Sequence, residues 1–299
     1  MTITRLAGAG IISLFLSAQV LASPYVSSVC KDCKPVKVAT CGGFLEGPTV
    51  DEKGRLWVVD VIGGRLLEIS NGKCIEKLKT GGHPNSALAT QDGKILIADW
   101  SGLLSYDAES GKVTNEGVTF NGEKLSGLND LALDKHGGLY FTVPGRSDAL
   151  QPNGQVFYRD TAGVINMISD RFAYPNGIAV TNDGEAVIVA DFAAKRIISV
   201  PAVGAKGPIK TAYVFALTQG GVGVDGMKID NKGRLYAANL AARQILIYGP
   251  DAILLGAIEL PAEAGSLVTN LTINHNALYI TEAGKGEVWK VDLAGTVGH

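Results

Sequence analysis

The chain of 299 residues is poor in charge and in aromatic side chains. Charged residues make up 19% of it and aromatic residues 7%, and the formal net charge is −2. Surfaces that bind nucleic acids or membranes need clustered lysine and arginine, and here the basic residues are scattered. The sequence therefore predicts neither a nucleic-acid partner nor a membrane partner.

Long apolar runs are also scarce, and the clearest one lies at the N-terminus. Arg5 precedes an apolar run over residues 6–18, and small residues lead up to Ala22. A basic start, a short apolar core and small residues before the cut are typical of a secretory signal peptide, whereas a membrane-spanning helix needs about 20 apolar residues. We therefore expect residues 1–22 to be a signal peptide, residues 23–299 to form one domain, and the protein to be periplasmic or secreted.

Cysteine is rare, and all four cysteines lie in the first quarter of the chain. An even number in a secreted chain favours disulfides. No second close pair and no histidine follow at metal-ligand spacing, which argues against zinc bound by cysteine. Four cysteines allow three pairings, and we predict two structural disulfides, Cys30–Cys33 and Cys41–Cys74.

What the sequence does contain is a repeated pattern, in which a polar residue leads a short apolar strand and a turn joins that strand to a second one. Six such polar residues, here called the leaders, lie 39 to 49 residues apart. They are Glu46, Asn85, Asn129, Asn176, Asp225 and Asn270. A period of this length predicts a β-propeller, an all-β fold. Six repeats account for nearly all of residues 23–299, so we expect six blades.

The first repeat shows how a blade is built. Its predicted strands, 48–51, 55–60, 65–69 and 74–78, are separated by turns rich in Gly, Asn and Asp. This succession predicts a four-stranded antiparallel blade. The last repeat has only three strands, so we predict that the N-terminal strand 34–40 closes the last blade.

All six leaders carry a carboxylate or a carboxamide, and in one shared register they should converge on the propeller axis. Oxygen ligands are those that hard cations prefer. Glu46 and Asp225 would balance the charge of a dication, and the amides of Asn129 and Asn176 would add neutral oxygen atoms. The sequence therefore predicts one divalent metal ion, Ca²⁺ in the first place, with Mg²⁺, Mn²⁺ or Zn²⁺ as alternatives.

Four leaders lie in motifs that resemble those of a known family. Glu46-Gly-Pro opens the first blade, Asn129-Asp the third, Asn176-Gly the fourth and Asp225-Gly-Met the fifth. They resemble the regucalcin, gluconolactonase and luciferin-regenerating enzyme family of six-bladed propellers over nearly the whole mature chain. The resemblance implies one metal ion, usually calcium, at the mouth of the central tunnel, and hydrolysis of lactones. It also implies Glu46, Asn176 and Asp225 as metal ligands, and Asn129 as a further ligand or a substrate-orienting amide.

The chemistry expected at such a site is attack of water on a lactone carbonyl that the metal polarises. The resemblance implies Asp225 as the general base, although a carboxylate bound to a dication is weakly basic. His83 is the second candidate, because it precedes the leader Asn85 by two residues and an unperturbed imidazole titrates close to neutral pH. Asp225 and His83 are therefore both predicted catalytic residues.

Loops between the second and third strands of each blade should meet the same rim as the leaders and select the substrate. The candidate substrate contacts are Asn85, Trp100, Asn129 and Arg146. For Asn85, and for Asn270, satisfying backbone groups of the tunnel is the competing interpretation. The longest of these loops, 143–153, is a candidate lid. Sugar lactonases of the family carry an arginine where this chain has Gly127, which favours a less polar lactone or ester over an aldonolactone.

Other functions are compatible with the same fold, because a propeller alone does not determine chemistry. One alternative is a hydrolase of organophosphates or aryl esters, as in more distant relatives of this architecture. Another is a non-catalytic propeller that binds a ligand or a partner, and a strictosidine-synthase-like condensing enzyme is a remote third. The preferred interpretation is a lactone hydrolase, monomeric or weakly oligomeric, that acts on a small-molecule lactone or ester.

Overall fold

The protein, described here by a computed structural model, is an arrangement of β-strands over residues 29–30 and 33–293. One short 3₁₀ helix, Phe192–Ala194, follows the seventeenth strand. The strands are β1 (Val36–Thr40), β2 (Leu45–Val50), β3 (Leu56–Asp60), β4 (Arg65–Ser70), β5 (Lys73–Lys79), β6 (Pro84–Ala89), β7 (Lys94–Asp99), β8 (Gly102–Asp107), β9 (Val113–Asn115), β10 (Thr119–Phe120), β11 (Glu123–Lys124), β12 (Leu131–Leu133), β13 (Leu139–Val143), β14 (Gly154–Arg159), β15 (Ile165–Phe172), β16 (Pro175–Val180), β17 (Ala186–Asp191), β18 (Arg196–Pro201), β19 (Tyr213–Leu217), β20 (Gly223–Ile229), β21 (Leu235–Leu240), β22 (Gln244–Tyr248), β23 (Leu254–Glu259), β24 (Val268–Asn274), β25 (Ala277–Glu282) and β26 (Glu287–Asp292).

Six four-stranded antiparallel sheets form the blades of a propeller. In chain order the blades are β2–β5, β6–β9, β12–β15, β16–β19, β20–β23, and β24–β26 completed by β1. Strand β1 pairs with β26 as the outer strand of blade 6, which confirms the predicted closure by the N-terminal strand. The first strands of the six blades contact one another around the ring and line the central tunnel. A short hairpin of β10 and β11 is additional to the blades.

The hydrophobic core lies between neighbouring blades. The second strand of each blade is buried almost throughout, as in Leu56–Asp60, because a blade packs on either side of it. Between blades 1 and 2, for example, Trp57 and Leu66 pack against Ala87 and Ile97. Each contact of this kind removes apolar surface from water and stabilises the ring by about 25 cal/mol per Å² buried.

Both predicted disulfides are present. Cys30 is bonded to Cys33, and Cys41 is bonded to Cys74. The second bond joins the end of β1 in blade 6 to β5 in blade 1, so it covalently secures the closure of the ring. Such a link restricts the unfolded chain and typically contributes about 2–4 kcal/mol of stability.

The predicted signal peptide, residues 1–22, lies outside the described residues, so its removal and the secretion of the protein stay predictions. Across the described ranges, no helix has the length and apolar character needed to span a membrane.

Candidate functional site

The register of the first strands decides which leaders meet at one end of the tunnel, here called the tunnel mouth. In blades 1, 2, 4 and 5 the residue just before the leader pairs with a polar residue near the end of the second strand. These polar residues are Asp60, Asp99, Asp191 and Asn239. Asn129 keeps the same register, because its backbone N–H donates to the Thr142 carbonyl.

Blade 6 departs from the expected register. Val268 pairs with Glu282, so Thr269 occupies the leader position and Asn270 lies one residue further along. The prediction of one shared register is therefore right for five leaders and wrong for Asn270. The reason is that two polar residues, Thr269 and Asn270, are adjacent before the apolar part of the strand, and only the pairing with β25 decides which of them is in register.

Glu46, Asn176 and Asp225 come together at the tunnel mouth, as predicted. Their side chains are 6%, 7% and 6% exposed. The Asn176 amide donates a hydrogen bond to the Asp225 carboxylate, and the charges of Glu46 and Asp225 repel each other. Two carboxylates and one carboxamide thus share a buried space that opens at one end of the tunnel.

Burial controls the ionisation of this pair. It raises the pKa of Glu46 to about 8, because hydrogen bonds from the Gly47 backbone and the Asn270 amide offset it only in part. Burial also raises the pKa of Asp225 well above its usual range, and the charges of Glu46 and Asp130 act in the same direction. A bound dication would reverse this, since a nearby positive charge favours the ionised carboxylate.

Two residues lie directly behind the leader positions. Asp130 is not among the site residues predicted from the sequence, whereas Asn270 is one of the predicted leaders. Asp130 accepts hydrogen bonds from Ser86 Oγ at 2.7 Å and from the Ile178 backbone at 3.1 Å, and Lys228 Nζ lies 3.9 Å from its carboxylate. Asn270 donates from Nδ2 to Glu46 Oε2 at 3.0 Å. The Asn270 amide thus holds Glu46 from behind, while Asp130 is held by its own partners and adds a negative charge beside Glu46 and Asp225.

A signal for this second layer does exist in the sequence. The residue after the leader position is glycine in blades 1, 4 and 5, and a polar residue in the other three. The glycine at 226 is required by close approach, because a Cβ there would lie 2.0 Å from the Asn270 side chain. Glycine in one blade thus makes room for a polar side chain from the next.

The remaining predicted residues lie on the rim. His83 and Trp100 are exposed and pack edge to face with ring centroids 5.8 Å apart. The Asn85 amide donates to the His83 carbonyl at 3.0 Å, and His83 Nδ1 lies 3.1 Å from the Val61 carbonyl. Within residues 33–293, no hydrogen bond joins His83 to Glu46 or Asp225. The structure therefore places His83 beside Trp100 and Asn85 and not against the buried carboxylates.

Asn129 and Arg146 approach the mouth from blade 3. Asn129 is half-buried in the leader register, and its side chain makes no hydrogen bond to any other described residue. Arg146 is exposed on the long loop after β13. Both side chains are accessible to a substrate.

Tyr174 is a further residue of the mouth that the sequence analysis did not identify. It is half-buried, two residues before Asn176, with a left-handed φ of 74°. Its backbone N–H donates to Ser147 Oγ at 3.0 Å, so the long loop of blade 3 holds it in place. Burial raises the pKa of Tyr174, and the charges of Asp225 and Glu46 add to the effect, which puts its phenol close to both carboxylates.

The donor set fits a hard cation. All side-chain donors at the mouth are oxygen atoms, and the two buried carboxylates repel each other until a positive charge balances them. Among the residues that the structure describes, no three His, Cys, Asp or Glu side chains are grouped so that they could bind a metal by themselves. Amide oxygens, with water, would therefore complete the coordination of Glu46 and Asp225.

Comparisons with known proteins agree with this architecture. The sequence profile described as the SMP-30/Gluconolactonase/LRE-like region matches residues 44–284. Diisopropyl-fluorophosphatase of Loligo vulgaris is 28% identical over 285 residues, covering 83% of this chain and 88% of that protein. Lactonase drp35 of Staphylococcus epidermidis is 25% identical over 245 residues, covering 76% and 72%.

A solved structure of a calcium-binding protein, regucalcin from Agrobacterium tumefaciens, superposes with a TM-score of 0.72. Its sequence is 22% identical, and the match covers 90% of this chain and 95% of that one. At this level of identity the likeness concerns the fold.

Proposed function

The chain belongs to the SMP-30/gluconolactonase/LRE-like family, and we propose that it is a metal-dependent hydrolase that opens the ring of a lactone. The observation that carries the proposal is the buried arrangement of Glu46, Asn176 and Asp225 at the tunnel mouth. The lactonase among the relatives supports the reaction type.

Calcium is the proposed metal, with Glu46, Asn176 and Asp225 as ligands and Asn129 as a further ligand or substrate contact. An oxygen-only donor set with two carboxylates suits Ca²⁺ better than Zn²⁺, which prefers nitrogen and sulfur. Regucalcin of A. tumefaciens, with the same fold, is described as calcium-binding, which supports this choice. When bound, such an ion polarises the lactone carbonyl and stabilises negative charge on its oxygen.

The residues of the chain then have distinct tasks. Asn270 and the Gly47 backbone hold the Glu46 carboxylate in place. A carboxylate oxygen of Asp225 is the proposed acceptor of the proton that the attacking water loses, and it returns that proton to the ring oxygen as the bond between this oxygen and the carbonyl carbon breaks. His83 on the rim is the alternative acceptor. The Tyr174 phenol is positioned to donate a hydrogen bond to the substrate at the mouth.

The rim supports a substrate less polar than a sugar lactone. Gly127 offers no side chain to grip hydroxyl groups, whereas Ile62 and Trp100 on neighbouring loops are 73% and 58% exposed. The half-buried Tyr174 ring packs 5.8 Å from that of Phe192. We therefore propose an alkyl- or aryl-substituted lactone as the substrate class.

A second candidate function is hydrolysis of organophosphate or aryl esters. The relative with 28% identity is a diisopropyl-fluorophosphatase, and an apolar rim suits such substrates equally well.

The proposed periplasmic or secreted location is supported by the two disulfides, which suit an oxidising compartment.

A pH-stat assay over aldonolactones, alkyl lactones, aryl esters and a fluorophosphate tests both candidates. We expect alkyl lactones to be hydrolysed fastest, with the rate lost in chelator and restored by Ca²⁺. Activity that persists after complete removal of metal, or in both Glu46→Gln and Asp225→Asn, would contradict the proposal. A fluorophosphate hydrolysed faster than every lactone would favour the second candidate.

A further inference from the structure

One position of the second strand carries an aromatic ring in most blades but not in blade 4. This position pairs with the third residue after the leader position and faces the next blade. In chain order it is occupied by Trp57, Leu96, Tyr140, Ile188, Tyr236 and Tyr279. Four of the six are aromatic, and each ring fills space between two neighbouring blades.

Blade 2, which has leucine at this position, compensates with a ring from elsewhere. Phe120 of the extra hairpin packs into the same cluster as Leu96, with its ring centroid 5.3 Å from that of Phe157 in blade 3. The space between blades 5 and 6 is filled further still, since Val29 and Cys30 pack beside Tyr236. In blade 2 the volume of the missing ring is thus replaced.

Between blades 4 and 5, Phe215 of β19 and Tyr248 of β22 pack in the cluster that holds Ile188, but they leave the space of the missing ring unfilled. A cavity of about 520 Å³ opens there, on the face opposite the tunnel mouth. Its blade 4 wall contains Ala186, Ile188 and Ser199, where the equivalent positions in blade 5 hold Arg234, Tyr236 and Ile247. Three smaller side chains in one blade therefore create the cavity.

The walls of the cavity are apolar and partly aromatic. Tyr213 and Phe215 of β19 line one side, and Ile229 and Leu235 of blade 5 line the other. A planar ring between them would stack on aromatic side chains, a favoured arrangement at ring separations of 4.5–7 Å. The volume lies in the range of small-molecule sites, about 300–1,000 Å³.

The opening of the cavity is polar, and hydrogen bonds fix the loop beside it. Glu185 accepts from the Gly207 backbone, and the Val203 backbone donates to the Tyr140 hydroxyl at 2.8 Å, so the loop after β18 is anchored beside the opening. Asp183 lines the opening too, and its carboxylate accepts from the Glu185 backbone at 3.0 Å. Asn231 and Lys232 also line it, and their side chains make no hydrogen bond or ion pair with any described residue. These two polar groups are available to a ligand.

We propose that the cavity between blades 4 and 5 binds a small planar aromatic molecule that carries an acidic group. Its rings would occupy the space beside Ile188 that corresponds to the space filled by Tyr236 between blades 5 and 6. Its acidic group would lie at the opening beside Asn231 and Lys232. This site is separate from the tunnel mouth, and it does not depend on the proposed hydrolase function.

The test is calorimetric titration of the folded protein with 2-naphthoate. We expect saturable binding that is the same with Ca²⁺ and with chelator, since the tunnel mouth is not involved. Ile188→Tyr restores the ring of the other blades and should weaken binding at least about tenfold, while Ile188→Leu, which adds no ring, should stay within about twofold. Lys232→Gln should weaken binding by about threefold.

Ser199→Phe fills the same space from the adjacent strand and serves if Ile188→Tyr fails to unfold cooperatively. Lactone hydrolysis should be unchanged in all four variants. The proposal is overturned if the parent protein does not bind 2-naphthoate. It is equally overturned if the folded cavity-filling variants bind it as tightly as the parent does.

Discussion

Two carboxylates only five residues apart, Glu46 and Asp51, are equally buried, at 6% and 7% exposed, yet lie at opposite ends of one first strand. Asp51 begins the turn into the second strand and accepts hydrogen bonds from the Arg55 guanidinium at 2.6 Å and from the Trp57 indole at 3.0 Å. Among the residues that the structure describes, Glu46 accepts only from the Gly47 backbone and the Asn270 amide.

The pKa values of the two groups move in opposite directions. Burial opposes ionisation of Asp51, but hydrogen bonds from Arg55 and Trp57 lower its pKa overall. Burial raises the pKa of Glu46 to about 8, because Glu46 lies deeper in the protein than Asp51 and its hydrogen-bond donors are neutral. The comparison teaches that the exposed fraction alone does not separate a carboxylate of the turn from one of the mouth. Depth in the protein and the charge of the partners separate them.

The same contrast recurs around the ring. Asp230 occupies the turn position in blade 5 and accepts from the Arg234 guanidinium at 2.7 Å and from two backbone N–H groups. Within the described part of the chain, Asp225 of the same blade accepts only from the Asn176 amide, and the charges of Glu46 and Asp130 repel it. These acids at the turn end are paired with arginine, whereas the acids at the mouth have no arginine partner among the described residues, and the proposed Ca²⁺ would balance their charge.

The largest effect should come from removing charge at the mouth. We expect Asp225→Asn and Glu46→Gln each to lower kcat/KM for an alkyl lactone by about 1,000-fold, because charge stabilisation at the carbonyl is lost. The thermal midpoint of both variants in chelator should not fall, since they remove mutual repulsion. Asp51→Asn is the matched control, and a comparable loss of kcat/KM in it would break the comparison.

Removing charge at the turn end should instead affect stability. Asp230→Ala takes away the carboxylate to which Arg234 and two backbone groups donate, so we expect the free energy of unfolding to fall by about 3 kcal/mol. Urea titration measures this, with the exposed Asp183→Ala as control. The activity per folded molecule should be preserved, and loss of that activity would show that the two ends are not independent.

A smaller effect is expected behind the mouth. Asn270→Ala removes the donor that holds Glu46 and should weaken Ca²⁺ binding by about tenfold, as measured by calorimetry. Asn85→Ala, whose amide bonds to the His83 carbonyl on the rim, should stay within about twofold. An equal loss of Ca²⁺ affinity in the two variants would remove the distinction between Asn270, behind the mouth, and Asn85, on the rim.

The smallest effect is a pH dependence of stability in chelator. Between about pH 4.5 and 8 folded Glu46 holds a proton that the unfolded chain releases, so stability should fall as pH rises, by on the order of 1 kcal/mol per pH unit. Asp225, whose pKa is also raised, acts in the same sense. Asp51, whose pKa is lowered, acts in the opposite sense and only in acid. Thermal melts from pH 5 to 8 measure this. If the slope of the thermal midpoint against pH does not become smaller in Glu46→Gln, the assignment of the pH dependence to Glu46 is contradicted.

Much of this arrangement was predictable from the sequence. The six repeats, the antiparallel blades, the closing strand and both disulfides follow from periodicity and turn chemistry, and the structure confirms them. The convergence of Glu46, Asn176 and Asp225 followed from their common place in the repeat. These features are local or repeated, so each repeat supports the same interpretation.

The contacts between repeats were decided by the tertiary structure alone. The structure sets Asn270 one residue away from the predicted register, brings Asp130 and Tyr174 to the mouth, and places His83 on the rim. The cavity beside Ile188 likewise appears only when blade 5 is set against blade 4. The physical reason is that strand propensity and turns are encoded within a few residues, whereas register and packing between blades depend on partners tens of residues apart in the chain.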